Sequence, residues 1–156
     1  MSFMKCADVA MAWRHKTGCK PKKRSWSSIE SGRHKVATRH VLVIDDNPVQ
    51  LSIREAVLRD AGFLVSIATT GPSALALLRA GNAPFHAIVT DHVMPKVSGA
   101  DFVRELRNVD TAIPVLVVTG MPDIETDYEG LNVTVRHKPL PPLELIELLE
   151  KATESN

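Results

Sequence analysis

Three aspartates, a threonine and a lysine stand at the ends of short apolar runs in this chain, and their types suit one kind of chemistry. Val41–Ile44 ends in Asp45 and Asp46, and Ala87–Val89 leads through Thr90 into Asp91. Val115–Val118 ends in Thr119, and a run around 133–135 leads into Lys138 and Pro139. A fifth run, around 63–68, carries no such residue. In an open parallel α/β sheet, ligands bind outside the carboxyl ends of the strands. If these runs are parallel strands, three carboxylates, a hydroxyl and an ammonium converge on one small site. Carboxylate oxygens suit a hard divalent cation. The hydroxyl and ammonium supply donors for a phosphoryl group. Taken singly, each residue has a plainer reading: Asp45-Asp46 before Asn47-Pro48 as a capping turn, Asp91 as a turn residue, Thr119 as a strand end, Lys138 as a solvated cation. Their joint occurrence in this order is what points to a site.

The pattern around these residues supplies the elements that must position them. Val41–Ile44 is continuously apolar and rich in β-branched residues, as a strand buried on both faces should be. Asn47 suits an N-cap and Pro48 a first helical turn, with Leu51, Ala56, Val57 and Leu58 as the buried face and Gly62 as the C-terminal stop. Strands are predicted at Phe63–Ala68, Phe85–Thr90, Pro114–Thr119 and Asn132–His137. A second helix starts at Gly71-Pro72-Ser73, turns Ala74, Leu75, Leu77 and Leu78 inward, and ends at Gly81. A third runs from Ala100 to Asn108 with Phe102, Val103 and Leu106 apolar. Residues 122–130 should hold a fourth helix of about two turns at most, since they are acidic and poor in apolar positions. Pro141–Glu154 is an amphipathic last helix with Leu143, Leu145, Ile146, Leu148 and Leu149 on or near its apolar face. Five alternating β-α units argue for a doubly wound parallel sheet.

Composition narrows the class. The chain has 156 residues, of which 44% are hydrophobic, enough for one domain with a sizeable core. No stretch approaches the roughly 18 apolar residues of a membrane span, and Val9–Trp13 is too short for a secretory core, which places the protein in the cytoplasm. Cys6 and Cys19 both lie in the N-terminal segment, so a core disulfide is excluded and a reducing compartment fits. The net charge of +1 conceals a split. Residues 1–39 hold ten Lys/Arg against two Asp/Glu, net +8, and residues 40–156 hold nine against sixteen, net −7. We therefore divide the chain into a basic, flexible arm, 1–39, and an acidic domain, 40–156.

From His40 to Glu154 the chain resembles the response-regulator receiver domain of two-component signalling. The resemblance rests on Ile44-Asp45-Asp46, Thr90-Asp91-His92-Val93-Met94-Pro95 with Ser98-Gly99, Thr119-Gly120, and Lys138-Pro139. It implies a flavodoxin-like five-stranded parallel sheet of order 2-1-3-4-5 with helices on both faces. It further implies that Asp91 is the nucleophile that accepts a phosphoryl group from a histidine kinase or phosphotransfer protein. Asp46 would bind Mg²⁺ directly, Asp45 mainly through water, and the Val93 carbonyl would complete the protein ligands with Asp91. Thr119 and Lys138 would bind phosphoryl oxygens, Lys138-Pro139 would be a cis peptide, and Gly99 would close the loop after the acceptor. Such a module catalyses only its own phosphorylation and dephosphorylation. The family's common output and dimer surface joins the fourth helix, the fifth strand and the last helix.

This chain departs from that pattern in several places. Val135 stands where the family often has the aromatic residue that swings inward with the hydroxyl residue, so the usual switch is not expected. Gly120 leaves the phosphoryl group accessible, and the short fourth helix implies a different output contact. Val93 and Met121 flank the site without a group to orient an attacking water, which predicts slow hydrolysis. His92 is expected as a side chain beside the pocket. Thr90-Asp91-His92 with Thr119-Gly120 also resembles the C-terminal receivers of hybrid sensor kinases.

The same residues bear on other functions. A phosphorylation-independent adaptor would work through its surface and arm, but would have no use for the intact Asp/Thr/Lys set. A haloacid-dehalogenase-like phosphatase would need Asp-x-Asp on the first strand, where this chain has adjacent Asp45-Asp46. Dinucleotide binding fails because Gly-x-Gly-x-x-Gly is absent after the first strand. The run Lys20–Arg24, with Trp13 and Trp26, could bind nucleic acid or an acidic partner, though a solvated arm or an over-long start is the simpler reading. Cys6, His15, Cys19 and His34 match no standard zinc-finger spacing.

Overall fold

The computed structural model describes residues 39–81 and 84–154. The arm expected over 1–39, apart from Arg39, lies outside the described residues, and with it Cys6, His15, Cys19, His34, both tryptophans and the Lys20–Arg24 run. The element order is β1 (His40–Ile44), α1 (Pro48–Asp60), β2 (Leu64–Ala68), α2 (Gly71–Ala80), β3 (Ala87–Asp91), α3 (Gly99–Val109), β4 (Val115–Thr119), a 3₁₀ turn (Glu125–Tyr128), β5 (Val133–His137) and α4 (Pro142–Glu154). The five strands form one parallel sheet of order β2-β1-β3-β4-β5, the doubly wound arrangement expected from the alternating pattern.

The sheet is covered on both faces, which is why its central strands read as unbroken apolar runs. Successive side chains on a strand point to opposite faces. Leu42 and Ile44 accordingly join Ile88, Val117, Phe102 and Leu106 in one core cluster, packed against α2 and α3. Val41 and Val43 join Val89, Val118, Leu58 and Leu149 in the other, packed against α1 and α4.

Helix ends follow local chemistry. The Asn47 side chain accepts the Val49 and Gln50 N–H groups at 3.0 and 3.3 Å, with Pro48 in the first turn. At the other end of α1, Gly62 takes φ +94° while its N–H donates to the Arg59 carbonyl, and the Phe63 N–H donates to that of Leu58. That paired closure satisfies the last turn and requires the left-handed residue that glycine supplies cheaply. Thr70 and Ser73 cap α2 reciprocally, and Ser98 caps α3 through the Asp101 N–H.

Several inward assignments are corrected by the structure. The buried stripe of α1 is Leu51, Arg54 and Leu58, while Ala56 is exposed and Val57 half-buried. Leu77 is 39% exposed, because Ala74 and Leu75 already define the inward side of α2. Leu143 is 74% exposed in the first turn of α4, ahead of the anchoring Leu145 and Leu149. Residues 122–130 hold no α-helix; their ordered core is the single 3₁₀ turn. Only Ile124 and Tyr128 are buried there, too little apolar surface to dock two helical turns. The non-helical backbone is held from α3 instead: Arg104 donates to the Asp127 carbonyl at 3.0 Å, and Arg107 to those of Leu131 and Asn132, both at 2.8 Å.

Candidate functional site

Strand register alone assembles most of the site. Ile44 lies opposite Thr90, so Asp45 leaves β1 level with Asp91 on β3. Asp91 lies opposite Val118, one residue before Thr119, and Thr119 lies opposite His137, one residue before Lys138. Neighbouring strands are about 4.8 Å apart, so these groups are placed within reach of one another before any side chain is considered. One carboxylate oxygen from each of Asp45, Asp46 and Asp91 lies within 4.8 Å of the others. Asp45 and Asp91 are buried, at 1% and 6% exposure, and Asp46 is exposed.

Each group has a defined environment. The Lys138 ammonium lies 2.5 Å from Asp91 Oδ2, and the Val93 N–H donates to Asp91 Oδ1 at 3.3 Å. Asp45 accepts the Asn47 N–H at 2.8 Å on Oδ1 and an Arg54 N–H on Oδ2. The buried Thr119 Oγ1 accepts the Met121 N–H at 2.9 Å. A hydroxyl has one proton to donate, and that of Thr119 remains available for a ligand oxygen. Lys138-Pro139 is a cis peptide. Val93 and Met121 are half exposed beside Asp91 and Thr119, to whose side chains their N–H groups donate.

The loop after Asp91 folds back on itself through Gly99, whose N–H donates to the His92 carbonyl at 2.9 Å. A Cβ at Gly99 would lie 2.5 Å from the Asp91 carbonyl oxygen and 2.7 Å from the Tyr128 hydroxyl, so no side chain fits there. His92 turns toward the 3₁₀ turn: its Nδ1 lies 2.9 Å from the Tyr128 hydroxyl and the two rings meet edge to face. Burial, with the nearby Asp127 and Asp91 charges, pushes the Tyr128 phenol well above its ordinary range.

Arg54 and Tyr128 were missed by sequence reasoning. Arg54 carried a readable signal, since it stands three residues after Leu51 and four before Leu58, inside the apolar stripe of α1. Tyr128 stands four residues after Ile124, but the polar residues between them hide the pair.

The cluster passes a chemical test for a hard divalent ion. An octahedral Mg²⁺ with oxygens at about 2.1 Å sets ligand oxygens roughly 3–4 Å apart. Three carboxylate oxygens within 4.8 Å meet that demand with small side-chain shifts.

Comparison with known proteins agrees with this geometry. The sequence model of the response regulator receiver domain matches residues 41–150. The chain belongs to the response regulator receiver family. It is 33% identical over 115 residues to the transcriptional regulatory protein ZraR of Salmonella typhimurium, a match covering 72% of this chain and 26% of that protein. It thus spans about a quarter of that regulator's length. Among solved structures, chemotaxis protein CheY4 of Vibrio cholerae superposes with a TM-score of 0.67 at 30% identity, covering 74% of this chain and 99% of that one. A receiver protein from Sinorhizobium medicae gives a TM-score of 0.69 at 26% identity, over 76% and 97%.

In this receiver domain Val135 is half-buried on β5, and the aromatic side chain near the acceptor loop is Tyr128 from the neighbouring connection. Gly99→Ala forces the Asp91 carbonyl and Tyr128 apart, and urea unfolding should show a loss of about 1–3 kcal/mol. Tyr128 is the chain's one tyrosine, so phenolate absorbance reads it alone. Its folded-state pKa is raised, so its contribution to stability is fully present below the unfolded phenol's pKa and is lost as pH climbs through the folded one. Native protein should show little phenolate at pH values where denatured protein is mostly ionised; coincident titrations would contradict the burial.

Proposed function

We propose that this receiver domain takes a phosphoryl group onto Asp91 from a phosphohistidine on a histidine kinase or phosphotransfer protein. The observation that carries the reading is the placement of the Asp91 carboxylate against the Lys138 ammonium at 2.5 Å, with two further carboxylates beside it. An Asp91 oxygen forms the P–O bond as the P–N bond of the donor breaks. The imidazole leaves with that electron pair, and Asp91 becomes an acyl phosphate. Lys138 and the Thr119 hydroxyl would each take a phosphoryl oxygen, so negative charge moves onto donors already in place. Asp45, Asp46 and Asp91, with the Val93 carbonyl, would hold Mg²⁺, which when bound supplies positive charge for the phosphoryl oxygens. The protein transforms no separate substrate in this reading; its output is a changed partner surface.

That surface would be built on β5 and α4, with the 3₁₀ turn in place of a fourth helix, and a second copy of the chain is one candidate occupant. No helix among the described residues is long and apolar enough to cross a membrane, and action in the cytoplasm beside a kinase's catalytic region fits the reading. Nucleic-acid contact would fall to the basic arm.

Incubation with Mg²⁺ and acetyl phosphate should add one phosphoryl group by intact mass, and Asp91→Asn or chelation of the metal should abolish it. A folded protein that stays unmodified while a control receiver is labelled would favour the phosphorylation-independent adaptor. Val93 and Met121 offer no polar side chain at the opening, so after donor removal the phosphoryl group should persist for minutes or longer. A half-life of seconds would contradict this account of the rim.

A further inference from the structure

Asp45 has a place among the proposed metal ligands, and its partner Arg54 does not. Arg54 is 7% exposed and Asp45 1%, and their ion pair is the most deeply buried one among the described residues. Arginine stays protonated in any protein environment, so a full positive charge is fixed within the acidic cluster. Asp45 is held at both oxygens, by Arg54 on Oδ2 and by the Asn47 N–H on Oδ1. Asp46 has no hydrogen-bond or ion-pair partner among the described residues and stays open to solvent.

We propose that Arg54 is a positioning and charge-balancing residue of the acceptor site, holding Asp45 in place and weakening cation binding before phosphorylation while favouring the phosphorylated state. The inference rests on the Mg²⁺-assisted reading above. Three carboxylates face two cations, Arg54 and Lys138, leaving a net −1. A divalent ion brings the cluster to +1. Conversion of the Asp91 carboxylate to an acyl phosphate of charge about −2 then brings it to neutrality. Without Arg54 the same three states carry −2, 0 and −1. The neutral state would then be the metal-loaded, unphosphorylated one, and phosphorylation would add uncompensated charge to a partly buried site, which is costly. A single buried cation thus acts in opposite directions on two equilibria.

The test compares wild type, Arg54→Gln and Arg54→Lys. Glutamine keeps an N–H donor but removes the charge; lysine keeps the charge. Mg²⁺ binding to unmodified protein is measured by calorimetry. The phosphorylated fraction at saturating Mg²⁺ and acetyl phosphate is measured by intact mass, and circular dichroism monitors the fold. Arg54→Gln should bind Mg²⁺ about tenfold more tightly and carry severalfold less phosphoryl group, with Arg54→Lys close to wild type on both counts. Unchanged or weaker Mg²⁺ binding in folded Arg54→Gln overturns the proposal, as does an equal shift in Arg54→Lys. If Arg54→Gln does not fold, Arg54→Met, which fills the same buried stripe without a charge, takes its place, and Mg²⁺ binding no tighter than in Arg54→Lys overturns the proposal. Absence of Mg²⁺ binding in wild type would be a separate failure, of the metal-assisted reading itself.

Discussion

Crowding of negative charge at one end of the sheet is the constraint on which the rest of this structure turns. Three carboxylate oxygens lie within 4.8 Å of one another, two of them on buried residues. Isolated ionised carboxylates are expensive to remove from water. The fold meets this cost with countercharge and hydrogen bonds: Arg54 and the Asn47 N–H on Asp45, Lys138 and the Val93 N–H on Asp91. The cations arrive from different elements, one from the inward stripe of α1 and one from the end of β5. Charge neutralisation therefore also ties the outer helix and the edge strand to the centre of the sheet.

The elements were legible in the sequence wherever a single rule dominated. Val41–Ile44 and Val115–Val118 could scarcely be anything but strands buried on both faces, and Asn47-Pro48 and Gly62 bracket α1 by capping chemistry that needs no tertiary context. The convergence of Asp45, Asp46, Asp91, Thr119 and Lys138 follows from parallel pairing once the strand order is known, and the strand ends carry their own chemistry. Legibility failed where tertiary context decides. A hydrophobic count on α1 favours Ala56 over Arg54, because it assigns no value to an inward cation whose partner is nine residues away in the chain. Leu77 and Leu143 are apolar and still face solvent, since the stripe that docks each helix is already complete without them.

The connection between β4 and β5 shows the same limit from another side. Its acidity and scarcity of apolar residues announce a weak helix, and the backbone indeed closes only one 3₁₀ turn. What secures it lies elsewhere: two arginines of α3 donate to the carbonyl groups of Asp127, Leu131 and Asn132. Stability has been moved from local hydrogen bonding to long side chains of a neighbouring element. The surface beside β5 is consequently built of side-chain-supported loop where a continuous helix would present a rigid ridge.

Gly99 ties these observations together mechanically. Its missing side chain lets the Asp91 carbonyl, the His92 backbone and the Tyr128 hydroxyl share one small volume. Parts in such contact behave as a gear train: a tooth cannot turn without its neighbour. A displacement of the backbone at Asp91 would press on the loop that Gly99 closes and on the phenol of Tyr128, which is buried with Ile124 among the α3 residues Phe102, Val103 and Leu106. The one-turn connection therefore brings the Tyr128 hydroxyl directly against the acceptor loop, with no longer helix between them.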